Sequence, residues 1–183
     1  MYGEVHLAQS FKIKPAGAAA NNTLIGLAAF CALIGAGMIW WFSGFAPAIG
    51  WVVGLLMVGL GGFFLWVRGA QANSSVEITG SEAILWTPLY GRTIALSSVT
   101  PGSVAIGSLT KDEANRLKWR TNGLGVPGYQ LGWFRTYGGV KALVAATGDA
   151  VVTFRTSEGY SVFVSAADNA GLGAALRAAV KAK

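Results

Sequence analysis

Two regimes of hydrophobic patterning divide the chain near residue 70. Before it, apolar residues run on with no polar face; after it, they alternate. Residues 24–42 form one uncharged, mostly apolar run, and residues 47–67 form a second. At 1.5 Å per residue each run extends about 30 Å as a helix, the thickness of a bilayer's hydrocarbon core. Ser43, Gly44, Phe45, Ala46 and Pro47 lie at the join. Glycine and proline end the first helix, and proline suits the first turn of the second, so the short link predicts an antiparallel hairpin. A buried pair of soluble helices and a cleaved signal peptide are the competing readings. A domain this small has no need of two such spans, and the first run starts too far in, and is too long, for a signal core.

From residue 74 the period changes to two. Val76 and Ile78, then residues 83–86, bracket a turn at Gly80-Ser81. Residues 84–86 and 93–96 predict a second pair around a turn at 88–91, and 104–106 a further short strand. Thr110 and Glu113 have the spacing of a capping box, which predicts a short helix over 111–117. Strands follow around 130–135, 140–146, 151–155 and 160–164. Turns at Gly138-Gly139, Gly148-Asp149 and Glu158-Gly159 join them as hairpins, giving an antiparallel meander. A last helix is capped by Ser165, with Asp168 three residues on. Leu172, Leu176 and Val180 form its apolar stripe, flanked by Ala175 and Ala179. Arg177, Lys181 and Lys183 sit at its C-terminal end, where the macrodipole favours cations. In the first 22 residues Val5, Leu7, Phe11 and Ile13 alternate weakly, as an extra strand or as a surface arm.

Composition sharpens the division. Of 183 residues, 53% are hydrophobic and 12% are charged, about half the charged share of a soluble domain. The deficit is local, because no Asp, Glu, Lys or Arg lies between Lys14 and Arg68. The formal net charge is +6, and beyond Gly69 11 Lys/Arg oppose 7 Asp/Glu, a net +4. This mild excess suits a face near anionic lipid and is too small to argue for nucleic acid. Lys12 and Lys14 precede the first span, Arg68 follows the second, and the link is uncharged. The positive-inside rule then places both termini in the cytoplasm. Trp40, Trp41, Trp51 and Trp66 lie near span ends, where amphipathic rings prefer the membrane interface.

Small residues form stripes on both spans: Ala28, Ala32, Gly35 and Ala36 on the first, Gly50, Gly54 and Gly61 on the second. Such stripes let helix backbones approach closely. They face each other within the hairpin, or one of them docks on another membrane protein. No ionisable residue lies inside either span, which argues against a pump, transporter or channel.

Catalytic chemistry finds little support. Cys31 is the only cysteine, so neither an intrachain disulfide nor a cysteine metal site is possible, and it reads as a small buried hydrophobe. His6 is the sole histidine and reads as solvated. No Ser–His or Cys–His constellation stands out, and Asp112 and Glu113 point apart on a helix. The sequence implies a non-enzyme without cofactor or metal. Residues 123–128 formally read G-x-G-x-x-G, but Pro127 and the strand beginning near Tyr129 forbid the helix that a dinucleotide needs, so a glycine-rich turn is expected there. Lys111, Arg116, Lys118 and Arg120, joined by Arg135, form a basic cluster. It is a solvated face near anionic lipid, or a contact for a lipid headgroup or a protein partner.

Arg120-Thr121-Asn122-Gly123, Gly125, Pro127-Gly128-Tyr129 and Gly132-Trp133-Phe134 together resemble the bacterial PH-domain family. Lys141-Ala142-Leu143, Thr153-Phe154-Arg155-Thr156, Gly159-Tyr160 and Ser165-Ala166-Ala167-Asp168 continue the pattern in order, with Ala166 where related sequences often carry proline. The resemblance spans residues 119–179 and implies a pleckstrin-homology-like barrel beside transmembrane helices. The expected fold is α+β: an arm over 1–22, a transmembrane hairpin over 23–68, and a PH-like antiparallel β-barrel or sandwich over 69–183 capped by a C-terminal helix. The expected role is a membrane-anchored interaction module, an accessory or scaffold subunit of a bacterial inner-membrane complex, respiratory or photosynthetic. Its partners would be membrane lipid and an integral membrane protein. The alternative role is an anionic-headgroup binder at the cytoplasmic surface.

Overall fold

The computed structural model describes residues 8–181. The sequence expectations for Val5, His6, Leu7 and Lys183 fall outside that range. Two long helices come first, α1 over Ala18–Phe42 and α2 over Pro47–Ala70. Pro47 opens α2 because its fixed φ suits a first turn and its missing N–H is not needed there. The link is tight: the Ser43 hydroxyl donates to the Trp40 carbonyl at 2.7 Å, and Ala46 N–H to the Phe42 carbonyl at 3.0 Å.

The helices lie side by side and bury a narrow seam. Ala28, Cys31 and Gly35 of α1 are buried, as are Gly50, Gly54 and Gly61 of α2. The backbones nearly touch. A methyl group at Gly61 would stand 3.0 Å from the Ala28 carbonyl oxygen, and one at Gly35 3.0 Å from that of Gly54. Around this seam the apolar side chains point outward. Leu33 is 73% exposed and Leu56 64%. A helix pair in a soluble core buries such residues. Both helices are long and apolar enough to cross a membrane.

The rest is a sandwich of two sheets. The first has the order β1-β2-β3-β4, from Gln9–Lys12, Ser75–Ile78, Glu82–Trp86 and Arg92–Ala95. The second has the order β5-β9-β10-β8-β7-β6. Its strands are β5 Ala105–Ser108, β6 Leu117–Val126, β7 Tyr129–Thr136, β8 Lys141–Ala146, β9 Ala150–Arg155 and β10 Tyr160–Val164. Alternating residues meet between the sheets: Val76, Ile78, Leu85 and Ile94 from one, Leu131, Leu143, Val152 and Val162 from the other. The final helix, α3 over Asn169–Lys181, closes one end of the sandwich with buried Leu172 and Leu176.

The second sheet is not a meander. β10 lies between β8 and β9, parallel to β8 and antiparallel to β9. Residues 147–149 therefore cross the end of β10 rather than turn a hairpin. All five residues of β10 are buried, and a continuously apolar strand takes the position covered on both faces. The outer face carries its own small core of Phe134, Val144, Val151 and Phe163. Residues 109–117 cover it as a strap, inserting Leu109 and Leu117.

That strap is where the short helix over 111–117 was expected. The capping box does not form because Thr110 is already engaged. Its hydroxyl and its N–H both donate to the Asp149 carboxylate, at 2.7 and 2.8 Å. Asp112 closes a single turn instead, accepting from Ala114 N–H at 3.1 Å while its carbonyl accepts from Arg116 N–H at 2.9 Å. Two further expectations fail similarly. The α3 cap is Asp168, which accepts from Gly171 N–H at 2.8 Å, whereas the Ser165 hydroxyl donates to the Ala150 carbonyl. The glycine-rich turn over 123–128 shrinks to Pro127-Gly128, where Gly128 takes φ +76. Gly123 and Gly125 continue β6, and Gly123 faces Gly132 across the pair. A side chain at Gly132 would stand 2.6 Å from the Asn122 carbonyl, so the two backbones pass where no Cβ fits.

Candidate interaction surfaces

The anchoring end of the molecule is defined by where the helices enter the sandwich. β1 precedes α1, β2 follows α2, and the two strands pair antiparallel from Gln9↔Ile78 to Lys12↔Ser75. Both chain crossings are thus fastened in one sheet. Ala20 and Leu24 of α1 and Val67 of α2 are fully buried in the sandwich core. Gln71 donates to the Asn21 side chain at 2.8 Å, and Asn21 to the Ala16 carbonyl at 3.0 Å. Lys14 N–H donates to the Ser165 carbonyl at 2.8 Å, and the Thr147 hydroxyl to the Lys14 carbonyl at 2.7 Å. The helices and the sandwich therefore share one core, with no free linker between them.

These contacts give the second sheet a direction. Residues 126–130, 145–150 and 164–166 lie at the helix base. Residues 117–120, 135–141 and 155–160 lie at the far end of these strands, where Glu158 and Tyr160 meet Arg92, one ladder position from the base residue Trp86 of the first sheet. Along β8, six residues at about 3.3 Å per residue put Lys141 roughly 17 Å beyond Ala146.

The five cations of the predicted basic cluster do not stay together. Lys111 sits at the base beside Asp149, whose carboxyl is held below its ordinary range by hydrogen bonds from Ser108 and Thr110 and by the Lys111 charge. Arg116, Lys118, Arg120 and Arg135 lie toward the far end, on the strap, on edge strand β6 and on β7. The Arg116 guanidinium stands 4.2 Å from the centre of the Tyr137 ring. The Lys118 ammonium lies 5.7 Å from the same ring and 4.7 Å from that of Trp119. A register shift between Leu117 and Trp119 accompanies the stacking of these neighbouring residues. Arg135 donates to the Gly139 carbonyl at 2.9 Å, and Arg120 lies opposite Phe134.

Sequence reasoning missed the aromatic half of this arrangement. Trp119 and Tyr137 are 51% and 52% exposed. The adjacency Lys118-Trp119 was the available signal; Tyr137 enters only through the β6–β7 pairing. A second cation–aromatic group was missed entirely. Arg92 donates to the Tyr160 hydroxyl at 3.1 Å and pairs with Glu158 at 3.2 Å, beside Trp133 with Lys141 stacked on it at 4.2 Å. The bond to Tyr160, and then Glu158, hold the Arg92 pKa above its ordinary value against a lowering by burial. This group ties β4 of the first sheet to β10 of the second. Arg92–Glu158 is the one ion pair among the described residues, and no group of three or more His, Cys, Asp or Glu gathers among them.

Of the small-residue stripes, Ala28, Gly35, Gly50, Gly54 and Gly61 lie in the seam within the hairpin, while Ala32 and Ala36 are exposed beside it. No protein-family model, characterised protein or solved structure matches the chain. The class stands on its architecture: an α+β protein in which two long apolar helices share a core with a two-sheet β-sandwich and a C-terminal helix.

Proposed function

We propose that this protein is a membrane-anchored interaction module that presents its β-sandwich to a protein partner at the cytoplasmic face of the membrane. The observation that carries the reading is the helix pair, apolar outside and clamped at its base by the β1–β2 pairing. Outward leucines suit lipid, and the clamp holds the sandwich in a fixed position above it. Lys12, Lys14 and Arg68 lie at the sandwich end of the helices, which favours a cytoplasmic sandwich under the positive-inside rule. The architecture is compatible with a PH-like module in the loose sense of two sheets closed by a C-terminal helix; the parallel β8–β10 pair is a departure from it. The role that fits is that of a non-catalytic accessory subunit in a larger bacterial inner-membrane assembly, respiratory or photosynthetic.

The lipid-headgroup reading is the alternative. Arg116, Lys118, Arg120 and Arg135 lie away from Ala146 along the strands, but β6, which carries Lys118 and Arg120, also packs against α1. Purification from native membranes in a mild detergent tests the main reading. Co-migration with a larger membrane complex is expected; a monodisperse protein running alone would count against it.

A further inference from the structure

We propose that the far end of the sandwich is a docking site for an acidic segment of another protein, gripped by the Arg116–Tyr137–Lys118–Trp119 stack. The inference rests on the module reading above and adds to it the place and the chemistry of contact. Three observations carry it. Arg116 and Lys118 have no carboxylate within ion-pair distance among the described residues. Cations held against ring faces are fixed in place while their outer N–H groups stay free, a ready receptor for carboxylates. Trp119 and Tyr137 are half-exposed, and neither is needed by the core.

The bland account is edge protection, since charges and bulges on an edge strand deter pairing with other strands. It explains Lys118, Arg120 and the shifts between Leu117 and Trp119 and between Arg120 and Asn122. It does not explain two large exposed rings, which invite association. The same bulges deny a partner regular strand addition, so recognition runs through side chains rather than backbone ladder bonds. Nucleic acid fits less well. The excess of positive charge beyond Gly69 is only +4, too small for a nucleic-acid footprint.

The test uses the full chain in nanodiscs of phosphatidylcholine, with a fluorescein-labelled decaglutamate peptide followed by anisotropy. Binding that weakens as salt rises is expected. In the double variant Arg116→Gln/Lys118→Gln it should weaken about tenfold, with a further loss on Trp119→Ala. Lys111→Gln, at the other end, should bind as the parent does, and all four side chains are outside the core, so far-UV circular dichroism should be unchanged. Three outcomes would overturn the proposal: no binding of the peptide, equal binding by parent and double variant, or tighter binding of a single-stranded oligothymidylate of equal charge. So would vesicles of phosphatidylserine and phosphatidylcholine capturing the nanodisc through Arg116 and Lys118. Failure of the wider reading looks different. A photo-crosslinker at Trp119 and another at Glu82 would then both capture nothing in native membranes, whereas capture at Glu82 alone would sink only this site.

Discussion

Single residues at the base of the sandwich set how it responds to pH. Tyr129 opens β7, is buried, and lies beside Leu131 and Ala145 at the helix junction. Burial pushes its phenol up to about 12, because the ionised form has no water there. Free tyrosine ionises near 10, so the unfolded chain loses its proton first. Between about pH 10 and 12 the folded state binds more protons than the unfolded one, and stability falls as pH rises. The loss attributable to this residue approaches roughly 2–3 kcal/mol by pH 12. Thermal melts of the sandwich followed by near-ultraviolet circular dichroism should show it, and Tyr129→Phe should flatten the alkaline limb. Identical limbs in parent and variant would show that the phenol is not desolvated. Asp149 works in the opposite sense. Its lowered pKa means that the strap anchorage through Thr110 is intact above the ordinary carboxylate range and is lost as acid protonates it.

Elements differ in how far local pattern determines them, and the hairpin is the clearest case. Uncharged apolar runs of this length favour a helix long enough to cross a bilayer, so both long helices were legible from residues 24–42 and 47–67. Their facing was legible in part: the stripes named Gly50, Gly54 and Gly61 but also Ala32 and Ala36, because small residues recur on faces that touch nothing. The seam can be tested directly. A Cβ at position 61 would stand 3.5 Å from that of Cys31, inside the range of disulfide bridges. Gly61→Cys should therefore form an intrachain disulfide with Cys31 under mild oxidation, seen as a faster band on non-reducing gels. A disulfide-linked dimer, or none, would contradict the register of the two helices. Strands β2, β3, β4, β5, β7, β8, β9 and β10 were legible from alternation and turns. The errors came where a distant residue decided the outcome. Thr110 answers to Asp149, 39 positions on, and not to Glu113. The 148–149 turn is opened by β10, which arrives later in the chain. Gly123 and Gly125 read as breakers, yet β6 carries both, Gly123 opposite Gly132 and Gly125 opposite Gln130.

At the scale of the whole molecule, the ordering of ends matters more than either half. The sandwich is fastened to the helices by two strands, a shared core and the Asn21–Gln71 bond, so its far end keeps a fixed distance from the base. Tryptophan provides the ruler. Trp86 pairs with Ser75 at the base, next to the point where α2 enters the sheet. Trp119 lies in the cation stack at the other end. With Trp40, Trp41, Trp51 and Trp66 all replaced by phenylalanine, three tryptophans remain, all in the sandwich. Lipids spin-labelled at the headgroup should then quench a fraction of the emission. On the protein-partner reading Trp86→Phe should remove that fraction and Trp119→Phe should leave it, because paramagnetic quenching is short-ranged and Trp86 adjoins the point where α2 enters the sheet. If Trp119 were the quenched residue, the cation stack would lie at the lipid surface. Arg116 and Lys118 would then face headgroups, and the lipid reading would replace the protein-partner one.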